Sequence, residues 1–198
     1  MDFLCQSATL VFILSSTDIV VKNLTLETFM SAAQPIHKYT LAVRIFHWVG
    51  ALLILAAFIA INLGDEYIGL HKSIGASFLI WTILRIITRV ATKAPAPLSA
   101  PAWQTAIAHL THLALYVAML AMPLTGMLMS MYGGRGVSVF GLFEMPMLVG
   151  VDADMARLMN AWHTDFVWTA MWLLIVLHIG AALYHQFVVK DNILARMR

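Results

Sequence analysis

Eight histidines occur in a chain of 198 residues of which only 11% are charged: His37, His47, His71, His109, His112, His163, His178 and His185. An ionisable side chain inside so apolar a sequence is costly to bury and marks a functional site. Four of the eight sort by depth. His47 lies a few residues into the first of four long apolar stretches, His71 opens the second, and His163 and His178 both lie in the fourth. With neighbouring spans antiparallel, His71 meets His163 near the outer membrane face, and His47 meets His178 near the inner one. His163 and His178 are about 22 Å apart at 1.5 Å per residue, and only about 60° apart around the helix. Neutral imidazole ligates iron well, and two such pairs suit two haem groups, each bound at both axial positions, closed to oxygen and specialised for electron transfer. The single cysteine, Cys5, and the lack of any Cys-x-x-Cys-His exclude covalent attachment as in c-type cytochromes, leaving ligation and packing to hold a haem.

Other readings compete at each position. A lone membrane histidine also serves as an interhelical hydrogen-bonding group; four at matched depths favour ligation. His109 and His112, near the start of the third stretch, have no partner left at their own depth. His112 and His185 are candidates for lining a quinone pocket, with snorkelling to the interface an equal alternative. His37 precedes the first span and reads as solvated. Gly50 and Ala51 follow His47 on its own helix face, as Gly75 follows His71 and Ala181 and Ala182 follow His178. Such clearance suits a flat ring lying on a helix, though small residues occur at any membrane helix contact. The thirteen methionines read as gap-fillers rather than copper ligands. Arg44 and Arg85 suit haem propionates, but topology alone also places basic residues there. A haem-free metal-ion transporter is the weakest reading, because no carboxylate lies deep inside a span.

The elements that position these residues follow from the apolar runs. Spans are expected at roughly 43–63, 71–90, 104–131 and 160–188, each near or above the ~20 residues that cross a bilayer. The fold class is therefore all-α, an integral membrane four-helix bundle. Residues 64–70 form a tight link, 91–103 hold three prolines that stop a helix, and 132–159 read as a longer loop opened by Gly133-Gly134. Trp48, Trp103, Trp162 and Trp168 sit where aromatic belts form. Lys38, Arg44, Arg85, Arg89, Lys93, Lys190, Arg196 and Arg198 fall on one side, and Lys72, Arg135 and Arg157 on the other. That bias places both termini in the cytoplasm. A net charge of +2 without a basic run gives no reason to expect nucleic-acid binding. Residues 1–36 form an extension of unknown role, which a start codon misassigned upstream of Met30 explains equally well; residues 37–198 form the transmembrane domain.

Read together, RIFHW (44–48), LHKSIG (70–75), AHLTHLALY (108–116), SVFGLF (138–143), the Trp-His at 162–163, LHIGAALYH (177–185) and KDNILARM (190–197) resemble the bacterial cytochrome b561 family, within the wider group of di-haem b subunits of nickel hydrogenases. The resemblance covers about residues 37–198. It implies a four-helix bundle with two b haems in a bacterial inner membrane, their ligands at His47, His71, His163 and His178. It also implies quinone chemistry, with ubiquinone as the substrate, on the cytoplasmic side near His185 and Lys190. Some members oxidise superoxide at the outer haem. Six of the ten acids (Asp65, Glu66, Glu144, Asp152, Asp154 and Asp165) face the three outer bases, an excess that disfavours steering of an anion, although Lys72 offers a local positive entrance. The expected function is electron transfer between an unknown periplasmic donor or acceptor and quinone. The alternative is an anchor subunit joining a periplasmic dehydrogenase or hydrogenase to the quinone pool, hinted at by the apolar loop MPMLVGV (145–151).

Overall fold

The computed structural model describes residues 37–96 and 100–198; the extension expected at 1–36 lies outside the described residues. Among the described residues four helices are long and apolar enough to cross a membrane. Helix α1 spans Leu41–Leu63, α2 Ile68–Ala91, α3 Ala102–Tyr132 and α4 Ala153–Val189. Local chemistry sets the boundaries. The Thr40 hydroxyl accepts the Val43 amide at 3.5 Å, capping α1. Gly64 ends α1 at φ +139°, a conformation that an L side chain rarely adopts. A 3-10 turn, Asp65–Tyr67, then leads directly into α2. Pro101 precedes α3, where its missing N–H costs nothing. The Asp152 carboxylate accepts the amides of Asp154 and Met155, starting α4.

Two features depart from the expected boundaries. The stretch 132–159 is not all loop, because the Asp152 cap starts α4 at Ala153, several residues before the apolar run. The remaining segment holds a small antiparallel hairpin, β1 Ser138–Val139 and β2 Phe143–Glu144, with Ser138 opposite Glu144. Its turn uses Phe140 (φ 51°) and Gly141 (φ 69°). Ser73 of α2 pins it: its buried hydroxyl accepts the Phe140 amide at 2.9 Å and lies 3.0 Å from the Ser138 carbonyl. A bundle read as all-helical thus carries one short hairpin clamped to its side.

Helix α4 is not uniformly α-helical. It widens into π-turns at Trp162–Val167 and at His185–Val189. Single π-turns inside helices concentrate at functional sites, and each of these contains a histidine. Beyond α4 the chain folds back. Lys190 and Asn192 adopt left-handed conformations, and a 3-10 turn follows at Ile193–Arg196. The tail then docks on α1: the Tyr39 amide donates to the Arg196 carbonyl at 3.1 Å, the Trp48 indole to the Met197 carbonyl at 2.9 Å, and the Arg44 guanidinium to the Arg198 carbonyl. Residues 64–67 and 133–152 mark one end of the bundle, the loop end; this strap marks the other, the tail end. Large apolar side chains along the spans, such as Leu52 and Leu173, point outward, as burial in lipid requires.

Candidate functional site

At the loop end, α2 and α4 bring His71 and His163 together, with ring centres 6.1 Å apart and ring planes 81° to one another. Each ring is oriented by a carbonyl from a neighbouring helix. His71 Nδ1 donates to the Ala57 carbonyl of α1 at 2.9 Å, and His163 Nδ1 donates to the Met122 carbonyl of α3 at 2.9 Å. The Thr125 hydroxyl lies 3.3 Å from the same His163 nitrogen. In the neutral imidazoles these bonds fix the proton on Nδ1 and leave Nε2 as the acceptor, the tautomer that a metal takes. Two imidazoles on opposite sides of one metal, at the usual ~2 Å bond length, put their centres about 6 Å apart. A cavity of about 490 Å³ adjoins the pair, lined by Gly75, Gly126, Lys72, Arg135 and Trp168 among others. That volume lies within the ~300–1,000 Å³ of cofactor and ligand sites. A Cβ on Gly75 would meet nothing within 4 Å, so that helix face is open, as expected.

At the tail end, α1 and α4 set His47 and His178 with ring centres 6.2 Å apart. Here the orienting group is different. The Arg85 guanidinium of α2 donates to His47 Nδ1 at 2.9 Å, and also lies over the Tyr116 ring, 5.7 Å from its centre. Arg85, expected near the membrane surface and suited to propionates, is here tied to a candidate ligand. Gly50 is buried beside Trp81 and Arg85, whereas Ala51 and Ala181 are exposed and clear no space inside the bundle.

The remaining histidines are placed unequally. His112 packs on His178 with ring centres 5.4 Å apart, so it does have a partner at its own depth, contrary to expectation. The antiparallel run of α3 beside α4 brings the two level. His185 lies apart from that group and pairs with Asp191, its Nδ1 donating to Oδ2 at 2.5 Å. Lys190 follows in the left-handed turn, exposed. His112 and His185 thus face different partners rather than one another. His37 and His109 are exposed. Among the described residues no cluster of three or more metal-ligating side chains forms. Trp48, Trp103 and Trp162 are exposed near helix ends, but Trp168 stacks on Phe58 and lines the loop-end cavity.

Gly126 was not anticipated. A Cβ there would lie 2.7 Å from His163 Cε1 and 3.0 Å from its Nδ1, so the imidazole rests directly on this glycine. The available signal was a glycine inside an apolar span, three residues past Pro123. Lys72 and Arg135 line the loop-end cavity together, Lys72 Nζ donating to Ser130 Oγ at 2.8 Å, and no carboxylate lines it. The local positive entrance expected at Lys72 is thus joined by Arg135, which the surface count of acids missed.

Comparison with known proteins gives the family. Residues 38–198 match the model of the prokaryotic cytochrome b561 family. Cytochrome b561 homolog 2 of Escherichia coli K12 is 31% identical over 182 residues, 85% of this chain and 95% of that protein. Cytochrome b561 homolog 1 of the same organism is 29% identical over 162 residues, 76% of this chain and 91% of its own. A protein named probable superoxide oxidase CybB from Yersinia pestis is 29% identical over 169 residues, 81% of this chain and 95% of that one. The chain belongs to the prokaryotic cytochrome b561 family, membrane proteins that transfer electrons through haem b.

Proposed function

We propose that this chain binds two haem b groups, one between His71 and His163 and one between His47 and His178, and carries electrons between the loop end and quinone at the tail end. The observation that supports this best is the pair of imidazole separations, 6.1 and 6.2 Å, at opposite ends of one bundle. Haem b at these positions supplies reversible one-electron carriage. The protein does the rest. Carbonyls of Ala57 and Met122 hold His71 and His163 with Nε2 forward, and two such imidazoles would hold a haem iron and close it to oxygen and water. At the tail end, a neutral His47 that binds through Nε2 needs its proton on Nδ1, so the Arg85 guanidinium must release that nitrogen. Arg85 is then a free cation beside the site, suited to an anionic propionate. The distribution of Lys and Arg sets the tail end in the cytoplasm and the loop end outside a bacterial inner membrane. Ubiquinone then exchanges electrons near His185 and Lys190, with His112 beside the inner pair. A redox titration of the purified protein should resolve two one-electron components with low-spin spectra. A single component, or a high-spin signal, would overturn the reading.

The donor at the loop end is best read as a small anion such as superoxide. Lys72 and Arg135 line the cavity without a carboxylate, and a like function is in the name of the Yersinia pestis relative. Superoxide-driven quinone reduction should fall in Lys72→Gln and lose rate as salt is raised; equal rates in both tests refute this donor. The anchor-subunit reading rests on exposed Leu142, Leu148 and Val151 at the same end. It requires a periplasmic dehydrogenase or hydrogenase to remain bound on purification.

A further inference from the structure

Asp191, which the sequence offered only as part of KDNILARM and with no role of its own, is held by several contacts at the tail end. Its Oδ2 accepts His185 Nδ1 at 2.5 Å, and its Oδ1 accepts the Ile193 amide at 3.1 Å. Its own amide donates back to the His185 carbonyl at 3.3 Å. The two side chains are only 23% and 19% exposed. The residues on either side, Lys190 and Asn192, are both left-handed without being glycine. Such conformations cost on the order of 1–3 kcal/mol each and persist where the surroundings over-determine them. On the helix side, His185 opens the second π-turn of α4. A strained turn and a widened helix therefore converge on one carboxylate–imidazole contact. Around it Leu183, Phe187 and Val188 are exposed apolar side chains, a surface suited to lipid, the medium from which an apolar quinone arrives.

We propose that His185 and Asp191 form a proton-transfer dyad for the quinone, with His185 touching the quinone carbonyl through Nε2 and Asp191 as the positioning residue behind it. This rests on the reading that quinone reacts at the tail end. Reduction of a quinone to the quinol takes two electrons and two protons. The electrons arrive through the bundle. One proton leaves His185 Nε2 for one carbonyl oxygen, the ring is reprotonated from water at the tail end, and the second oxygen takes its proton from water. In the reverse direction, neutral Nε2 accepts a proton from the quinol hydroxyl. Asp191 holds Nδ1 as a donor in both directions, which keeps Nε2 facing the substrate. It also offers a counter-charge whenever both ring nitrogens carry protons, the division of labour of a histidine backed by a carboxylate.

The test uses the full-length, haem-loaded protein and a short-chain ubiquinone analogue. Pre-reduced protein is mixed with the analogue, and haem reoxidation is followed in wild type, Asp191→Asn, Asp191→Glu and His185→Gln. Asp191→Asn and His185→Gln should each lower kcat at least about tenfold, as loss of a positioned acid or base does, with KM changing much less. Asp191→Glu should recover most of the rate. The solvent deuterium effect on kcat should grow in Asp191→Asn, and the 15N imidazole shifts of His185 should report a protonated Nδ1 in wild type but not in that variant. Haem per chain should stay at the wild-type value throughout. An unchanged rate and isotope effect in Asp191→Asn would overturn the proposal. So would a rate that falls only in step with lost haem or a lowered thermal midpoint, which marks Asp191 as a mere tie for the tail. If Asp191→Asn fails to fold, a normal rate in folded His185→Gln overturns it equally. A wild-type protein that exchanges no electrons with quinone sinks the functional reading as well; normal exchange with indifferent variants sinks the dyad alone.

Discussion

Replacing Gly126 with alanine should weaken haem binding at the loop end while leaving the tail end untouched. The added Cβ would stand 2.7 Å from Cε1, 3.0 Å from Nδ1 and 3.3 Å from Nε2 of His163, a clash with a ring rather than with the tip of a flexible chain. The ring cannot swing away freely, because Nδ1 is bonded to the Met122 carbonyl at 2.9 Å and α4 is locked in a π-turn at this point. Overpacking of this kind costs roughly 1–3 kcal/mol, which at 1.4 kcal/mol per decade is about a 5- to 150-fold loss of affinity. The loss should appear as one haem titrating with weakened affinity, and as a broadened reduced-minus-oxidised spectrum. Gly180→Ala is the control, since a Cβ there meets nothing within 4 Å. If Gly126→Ala takes up both haems with wild-type affinity, His163 does not occupy this position when haem is bound, and the loop-end reading fails.

Other perturbations follow from the same contacts. Arg85→Gln removes a cation beside His47, so the tail-end haem should keep its place but shift to lower potential by tens of millivolts, as loss of nearby positive charge favours the oxidised iron; an unchanged potential in a redox titration refutes the placing of this cation beside the haem. His112→Ala should leave two haems per chain and slow quinone exchange, whereas loss of one haem would make His112, at 5.4 Å from His178, the true partner in place of His47. Ser73→Ala strands the Phe140 amide at a cost of about 1–3 kcal/mol, so hydrogen exchange over 138–144 should quicken with haem content unchanged; equal exchange would mean that the hairpin holds without this clamp.

The large-scale architecture was legible because lipid imposes it. Apolar runs long enough to cross a bilayer place α1, α2, α3 and α4 to within a few residues, and opposite chain directions pair His71 with His163 and His47 with His178. What escaped was set by contacts between residues distant in sequence. The early start of α4 comes from one capping carboxylate, Asp152, outside any apolar run. The π-turns leave no periodic trace, since a single widened turn shifts the pattern by one residue. Arg85 looked like a surface cation because depth along a helix says nothing of which neighbour it meets. His112 looked solitary because its partner lies on another helix already assigned to His47. Lys72 was legible as a local positive entrance, but Arg135 beside it was hidden by a charge count that summed a whole face.

The central claim, two haems held by two separate histidine pairs, is tested most directly by haem per chain in single-histidine variants. Purified wild type should contain about two haems. His71→Ala and His163→Ala should each fall to about one, losing the same spectral component, and His47→Ala and His178→Ala should each lose the other. A wild type with a single haem, or a His71 and His163 pair that lose different components, would contradict it.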